Sequence, residues 1–573
     1  MTLKNVATNV TETATTDNAG VYVILNVPPG SYTLQVGKQG FETKTQAQFP
    51  LNVNQTSTFD FTLAVGSALQ TVTVQAVAAT LQTSSAELGT AIVAHQVNDL
   101  PLNGRNFTQL LNLTPGVSTI NTAQNHSNKQ FTGNPIGDYS FPSVNGQTNR
   151  SNLFLVDGLN DQESFSSTYS VAPVVDDIEE FKVDSHNDQA QFGGVLGGVV
   201  NVVTKSGTNQ FHGAGWEFFR NTALNSRDPF NSTVSQLQQN QFGANIGGPV
   251  ILPHYNGRNR TFFFGSYEGA RIHSGGNARD TLPTTQEIAS GDFSDFSGQI
   301  YNPYSTNPST QSRAPFMCGA SGNALAPLAN GTQPAGTPCN KIPSSLIDSH
   351  MQALAKVLWP APNVTGNSTY NYQQNLLTVH NSDNYSVRGD EQLGTKDSFW
   401  FRFSHVGTPQ TSESVVGNNG VVTYNAHVWG ASWNHTFGPS AILTLQMGRN
   451  FANGVSGNLF APSKSKQLIQ VSGLSSFLTC GYVGTQSCYF PSPNLSSITS
   501  GGESANNTNV ADVWEWRGDF SKTHGKHTFS MGADFNTNGM TQTIIGSHFD
   551  FGSAVTSNPA AKKGNQGGYS VAS

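Results

Sequence analysis

The sequence predicts a mainly β protein whose later part is an antiparallel, membrane-facing barrel segment of about nine strands. Three observations carry that expectation. Only 11% of the 573 residues are charged, against about 25% in a soluble protein, yet no run of about 18 apolar residues offers a membrane helix. In the later part apolar and polar residues alternate: Phe399, Phe401 and Phe403 point one way, Trp400, Arg402 and Ser404 the other. Tight turns at Gly394–Asp397, Gly438–Ser440 and Thr523–Lys526 alternate with long polar stretches, Ile272–Ser382, Gly407–Thr423 and Ala452–Asn509. That is the sided pattern of a barrel with turns beneath the membrane and loops outside it.

The same residues bound the function. A net charge of -7 without Lys/Arg clusters argues against nucleic acid as a partner. There is no nucleophile elbow, no HExxH and no framed pair of carboxylates, so no catalytic residue, metal or cofactor is expected. His95, His212 and His405 are isolated. Four cysteines form two close pairs, Cys318/Cys339 and Cys480/Cys488, in polar Gly/Ser/Pro-rich stretches. Local disulfides in exported loops explain that spacing. Met1–Lys4 lacks the apolar core of a signal peptide, so a truncated N-terminus is expected.

Residues 1–66 read as a small β-sandwich: Val21–Leu25, the turn at Pro28-Pro29-Gly30, then alternating Thr33–Val36 before Gly40-Phe41. Thr15–Phe41 resembles the carboxypeptidase regulatory-like domain, a binding or spacer module, and carries no HxxE zinc pair. Residues 67–79 are a linker containing Thr71, Val72, Thr73, Val74, Gln75 and Ala76. Such a β-prone segment either closes the sandwich as its last strand or adds to a partner's open sheet edge.

Residues 80–206 read as an α+β unit. Leu110, Leu111 and Leu113 suit a short buried helix stopped by Pro115-Gly116. Asp157, Asn160, Asp161 and Glu163 have calcium-ligand chemistry but not the EF-hand register, so a solvated turn is expected. The glycines of Phe192–Val199 run into Val199–Val203 and a Lys205–Asn209 turn. This is strand chemistry, not a phosphate-binding loop opening a helix.

Leu100–Val117, Leu153–Gly158, Val174–Val183 and above all Gly197–Gly213 together resemble TonB-dependent outer-membrane receptors of the Oar-like type. That resemblance implies that 80–206 is a plug and 207–573 the N-terminal part of a barrel whose C-terminal part is missing. It implies that Thr71–Ala76 is a TonB box, and that Arg105 lies on the plug's ligand side or against the wall. The implied partners are a TonB-type energy-transducing protein, outer-membrane lipid and an unknown extracellular ligand, in the outer membrane of a Gram-negative-type bacterium. The implied function is energy-coupled uptake of a ligand, whose class extends to glycan- or peptide-derived molecules. A surface adhesin or assembly barrel would keep every feature except a working TonB box. A secreted glycan-binding β-sandwich would bury the outward aromatics between two sheets.

Overall fold

The computed structural model describes residues 1–573 except 19, 26, 54, 67–70, 75–87, 120–141, 166, 187–189, 228, 230–233, 329–331, 368, 439, 475–488, 496–498, 500, 525–526, 544–547, 552–556, 558 and 561–573. The N-terminal sheet contains β1 (Thr2–Asn5), β2 (Thr11–Thr13), β3 (Gly30–Val36), β4 (Thr43–Leu51) and β5 (Thr71–Val74), in the order β2-β1-β3-β4-β5. Alternation in β3 buries Tyr32, Leu34 and Val36. The segment Val21–Leu25 differs from expectation. It makes no ladder but lies over the sheet as a cover, with Tyr22 and Ile24 packed beside Phe59 and Phe61 on Leu3, Tyr32 and Leu34. The Tyr22 hydroxyl ties the two covering segments together by donating to the Phe59 carbonyl at 2.9 Å.

The second sheet is built from β6 (Leu88–Val93), β7 (Leu153–Val156), β8 (Leu159–Asn160), β9 (Ile178–His186) and β10 (Val199–Thr204), in the order β8-β7-β10-β9-β6. Helix α1 (Ala94–Asp99) follows β6. Phe107, Leu110, Leu111, Phe154, Phe181, Val200 and Val202 share its core. The leucine-rich turn is a 3₁₀ helix, Phe107–Leu113. Leu113 is 53% exposed, contrary to expectation, because the chain turns away from the core there. Thr114 N–H caps Leu111 and Gly116 takes a left-handed φ of 82°.

The third sheet has nine consecutive antiparallel strands: β11 (His212–Asn221), β12 (Leu237–Pro249), β13 (Thr261–Asp280), β14 (Tyr372–Leu393), β15 (Asp397–Ser412), β16 (Asn419–Gly438), β17 (Ala441–Leu459), β18 (Ser504–His524) and β19 (His527–Thr543). It curls around the second sheet and stays open between β11 and β19. The strands reach 22 residues, not the ten expected. About 9–11 residues suffice to cross a bilayer, so strands of this length would extend well beyond one. This also revises one loop: Gly407–Ser412 continues to pair with Gly420–Asn425, leaving only 413–418 as connection. The described residues of the other long loops, 281–371 with α2 (Thr285–Ser290) and 460–503, pack together through α3 (Ser349–Leu358) and α4 (Pro462–Ser472), where Leu354, Leu358, Val416, Phe460, Leu468 and Phe490 are buried.

Candidate functional site: the seam between plug and wall

The second sheet presses its turns against the inner face of the third, and chemistry concentrates on that seam. The turn joining β7 to β8 is Asp157-Gly158, with φ of 52° and 82°. Its backbone shape aims the Asp157 carboxylate at two strands at once. Asp157 accepts from Thr204 N–H at 2.9 Å and Thr204 Oγ1 at 2.8 Å, both on the plug. From the wall it accepts from Arg388 Nη1 at 2.8 Å, with Arg402 Nε 3.2 Å away. Arg402 is 2% exposed. One carboxylate facing two buried guanidiniums would leave excess positive charge, and Asp390 supplies the second anion, 2.9 Å from Arg388.

Past Gly158 the chain enters a notch. Leu159 sits beneath Gly430 and Gly448 of the wall, where a Cβ would come within 2.5 and 3.2 Å of its methyl groups. Asn160 N–H donates to Glu515 at 2.8 Å. The expected solvated turn is therefore not solvated: Asp161 and Glu163 are 0% and 1% exposed because the wall covers them. Burial pushes the Asp161 carboxyl up to about 7. Among the described residues no group of acidic, His or Cys side chains is arranged to hold a metal ion.

The second anchor is Asp177. Its carboxylate accepts from two wall hydroxyls, Ser266 at 2.7 Å and Ser386 at 2.6 Å, while its other oxygen is buried without a hydrogen-bond partner among the described residues. Burial raises it to about 6. Sequence reasoning missed Asp177. The only signal was its place in the Val174–Val183 stretch, which carried no chemistry of its own.

Arg105 is the third anchor, and it faces the wall. It pairs with Asp176 on the plug and with Glu268 on β13 at 2.9 Å. Its guanidinium lies 5.1 Å from the Trp216 ring and 5.0 Å from Phe218, a geometry in which cation and π-face attract. Gln241 and Trp216 complete the Glu268 shell at 3.0 and 3.2 Å.

The remaining sequence candidates lie apart from this seam. Thr71–Val74 form β5, the parallel edge strand of the N-terminal sheet, and Gln75 and Ala76 lie outside the described residues. Cys318 and Cys339 form a disulfide within the loop 281–371; Cys480 and Cys488 lie outside the described residues. Loop-side aromatics are not among those candidates: Trp359 donates to the Thr499 carbonyl at 2.8 Å and Tyr370 lies under Arg279, so both serve loop packing, whereas Tyr304 is 69% exposed.

The outer face of the third sheet carries Phe399, Phe401, Met447, Trp516 and Phe535 at 37–63% exposure. A secreted sandwich would bury them; here no second layer of described residues covers them. Two belts of polar and charged side chains bound this apolar face. Arg271–Asp383, His405, His427 and Arg449–Asp512 form one, and Arg260–Glu391 with Asp397–His435 the other. Asp383 and Glu391, Asp397 and His405, and His427 and His435 are each eight residues apart on neighbouring strands. At about 3.4 Å per residue and a 35–45° tilt that step is about 20 Å of height, close to the apolar band of an outer-membrane barrel.

Comparison with known proteins agrees. Residues 203–573 match the outer membrane beta barrel domain family and residues 1–64 the carboxypeptidase regulatory-like domain. The TonB-dependent transporter Oar of Myxococcus xanthus is 26% identical over 272 residues, covering 45% of this chain and 23% of Oar. The outer membrane transporter YddB from Escherichia coli is 10% identical with a TM-score of 0.46, over 82% of this chain and 51% of YddB. The ferric enterobactin receptor PfeA from Pseudomonas aeruginosa is 11% identical with a TM-score of 0.39, over 79% and 49%. The chain thus spans about half the length of those solved structures and about a quarter of Oar. With the family model matching well over half of its residues, the chain belongs to the outer membrane β-barrel domain family, and its place is the outer membrane.

Proposed function

We propose that the chain is the plug-bearing portion of a TonB-dependent outer-membrane receptor that takes up an extracellular ligand by energy-coupled displacement of the plug. The seam carries this reading. Apolar contacts exist there too, with Leu159 under Gly430 and Gly448 and Val171 among Val406, Tyr424 and Val428, but Arg105, Asp157 and Asp177 hold the plug through charged and hydroxyl contacts. Such contacts are exchangeable for water once the plug shifts, so the seal can break and re-form. The loops joined through α3 and α4 would meet the ligand, whose class extends to glycan- or peptide-derived molecules. No part of this reading requires catalysis. The partner would be a TonB-type protein adding a strand to Thr71–Ala76. Calorimetry with the periplasmic domain of such a protein tests it. Micromolar binding is expected for the native chain and none for Val72→Pro with Val74→Pro, which removes two backbone donors. A native chain that does not bind, yet retains cell-surface adhesion, favours an adhesive barrel instead.

A further inference from the structure

The Lys205–Gly213 junction passes from plug to wall at the turn side of the barrel, and there it meets the N-terminal sheet. Gly207 lies so close to the wall that a Cβ would fall 2.5 Å from the Gly248 carbonyl and closer still to that of Phe263. That tight passage delivers Asn209 to the turn following β1. Asn209 N–H donates to the Ala7 carbonyl at 3.1 Å, and its Nδ2 donates to the Thr8 carbonyl at 2.6 Å. The same amide reaches the wall: Nδ2 donates to Asn259 Oδ1 at 2.7 Å, and Asn259 N–H donates back to Asn209 Oδ1 at 2.7 Å. Asn9 closes the triangle, its Nδ2 donating to Asn259 Oδ1 at 3.1 Å. Asn9 and Asn259 hold φ of 58° and 63°, a left-handed conformation that asparagine tolerates better than most residues.

A second contact lies on the plug itself. The N–H of Val53, in the turn after β4, donates to the Glu180 carboxylate on β9. Both residues are buried, at 6% and 4% exposure. The N-terminal sheet therefore grips the barrel turn through Asn9, the junction through Ala7 and Thr8, and the plug strand through Val53. No single side of the seam could move without breaking one of these.

We propose that the N-terminal sheet is a staple across the turn-side mouth, with Asn209, Asn259 and Glu180 as the positioning residues that fix it to junction, wall and plug. The staple restrains the plug and must release before the plug can move. The inference concerns docking and restraint, so it can fail while the transport reading stands, and the converse.

The test uses the full chain in detergent with spin labels at Lys38→Cys and Ile251→Cys, both exposed and outside the contacts, in a background with Cys480 and Cys488 changed to serine. Electron–electron resonance on this chain should give one narrow distance population. Asn209→Ala with Asn259→Ala should broaden it severalfold, while Asn367→Ala in the far loop should leave it narrow. Hydrogen exchange then reads the restraint: the amides of β9 should exchange at least tenfold faster in the double variant and in Glu180→Ala. A broad distribution in the native chain overturns the docking. A broadened distribution with unchanged β9 exchange overturns the restraint. Neither readout depends on ligand or energy supply.

Discussion

Arg105 is the residue on which most of the seam converges, since it touches Asp176, Glu268, Trp216 and Phe218. Arg105→Ala leaves Glu268 facing the plug with only amide and indole donors, and truncating one partner of a buried charge pair costs about 2–5 kcal/mol. The urea midpoint for plug release should fall accordingly, and Arg105→Lys should recover less than half of the loss, because an ammonium cannot keep both carboxylates and the stacking. Asp177 makes the opposite kind of prediction. Its carboxyl and that of Asp161 are raised by burial to about 6 and about 7, so the docked plug holds protons that a released plug would lose. Their contribution is fully present below the ordinary carboxyl range near 4 and is lost as pH rises through the raised values. Plug retention should therefore weaken between about pH 4 and pH 7 and then level off. Asp177→Asn, which keeps an acceptor for the two serines without the charge, should flatten that slope. A urea midpoint that rises over the same window would show that the two carboxyls are not docked in their protonated form.

The elements explain why the junction was readable and the seam was not. β10 is Val-Val-Asn-Val-Val-Thr, buried at its first four positions, and strand chemistry followed directly from its β-branched run. The two glycines directly before it, Gly197 and Gly198, are closely packed. A Cβ on Gly197 would collide with the Asn152 amide, which also holds Pro142 and the Gly198 N–H, whereas Gly193 has open space around it. Gly197→Ala and Gly207→Ala should each destabilise by about 1–3 kcal/mol and Gly193→Ala by almost nothing, measured as thermal midpoints of the purified chain. The strand count and the alternation of short turns with long connections were legible because each strand carries its own period. The overshoot of β15 and β16 was not, because polar residues such as Thr408 and Gln410 alternate in a wet strand much as they do in a loop. Arg105 and Asp157 were visible as charged positions, but their wall partners lie on β13, β14 and β15, hundreds of residues later for Arg402. No local pattern can specify such pairing, and for the same reason Asp177 passed unnoticed and Glu163 read as solvated.

For the whole molecule the decisive property is that two solvents meet one sheet. Inside, the wall offers Ser266, Ser386, Arg388 and Arg402 to the plug; outside, the same sheet offers Phe401, Met447 and Trp516 to lipid. Nine alternating strands leave β11 and β19 running in the same direction, so these two edges cannot pair with each other antiparallel; antiparallel closure takes an odd number of strands between them. β19 is exposed on both faces along its length, since no plug contact covers its inner side except that of Asn538 with Ser164 among the described residues. The charged belts mark where the membrane lies, and substitutions on the outer face test that placement. Met447 sits in the row Phe401–Ala431–Met447–Trp516, midway between the belts defined by Asp397 and His405. A lipid-facing arginine costs about 2–4 kcal/mol at the midplane and about 0–1 near an interface. Met447→Arg should therefore lower the urea midpoint in lipid vesicles by the larger amount and His405→Arg by the smaller. In detergent micelles, whose apolar layer deforms around a charge, the two should converge. Equal costs in vesicles would move the belts off the membrane boundaries and with them the assignment of which connections face outward.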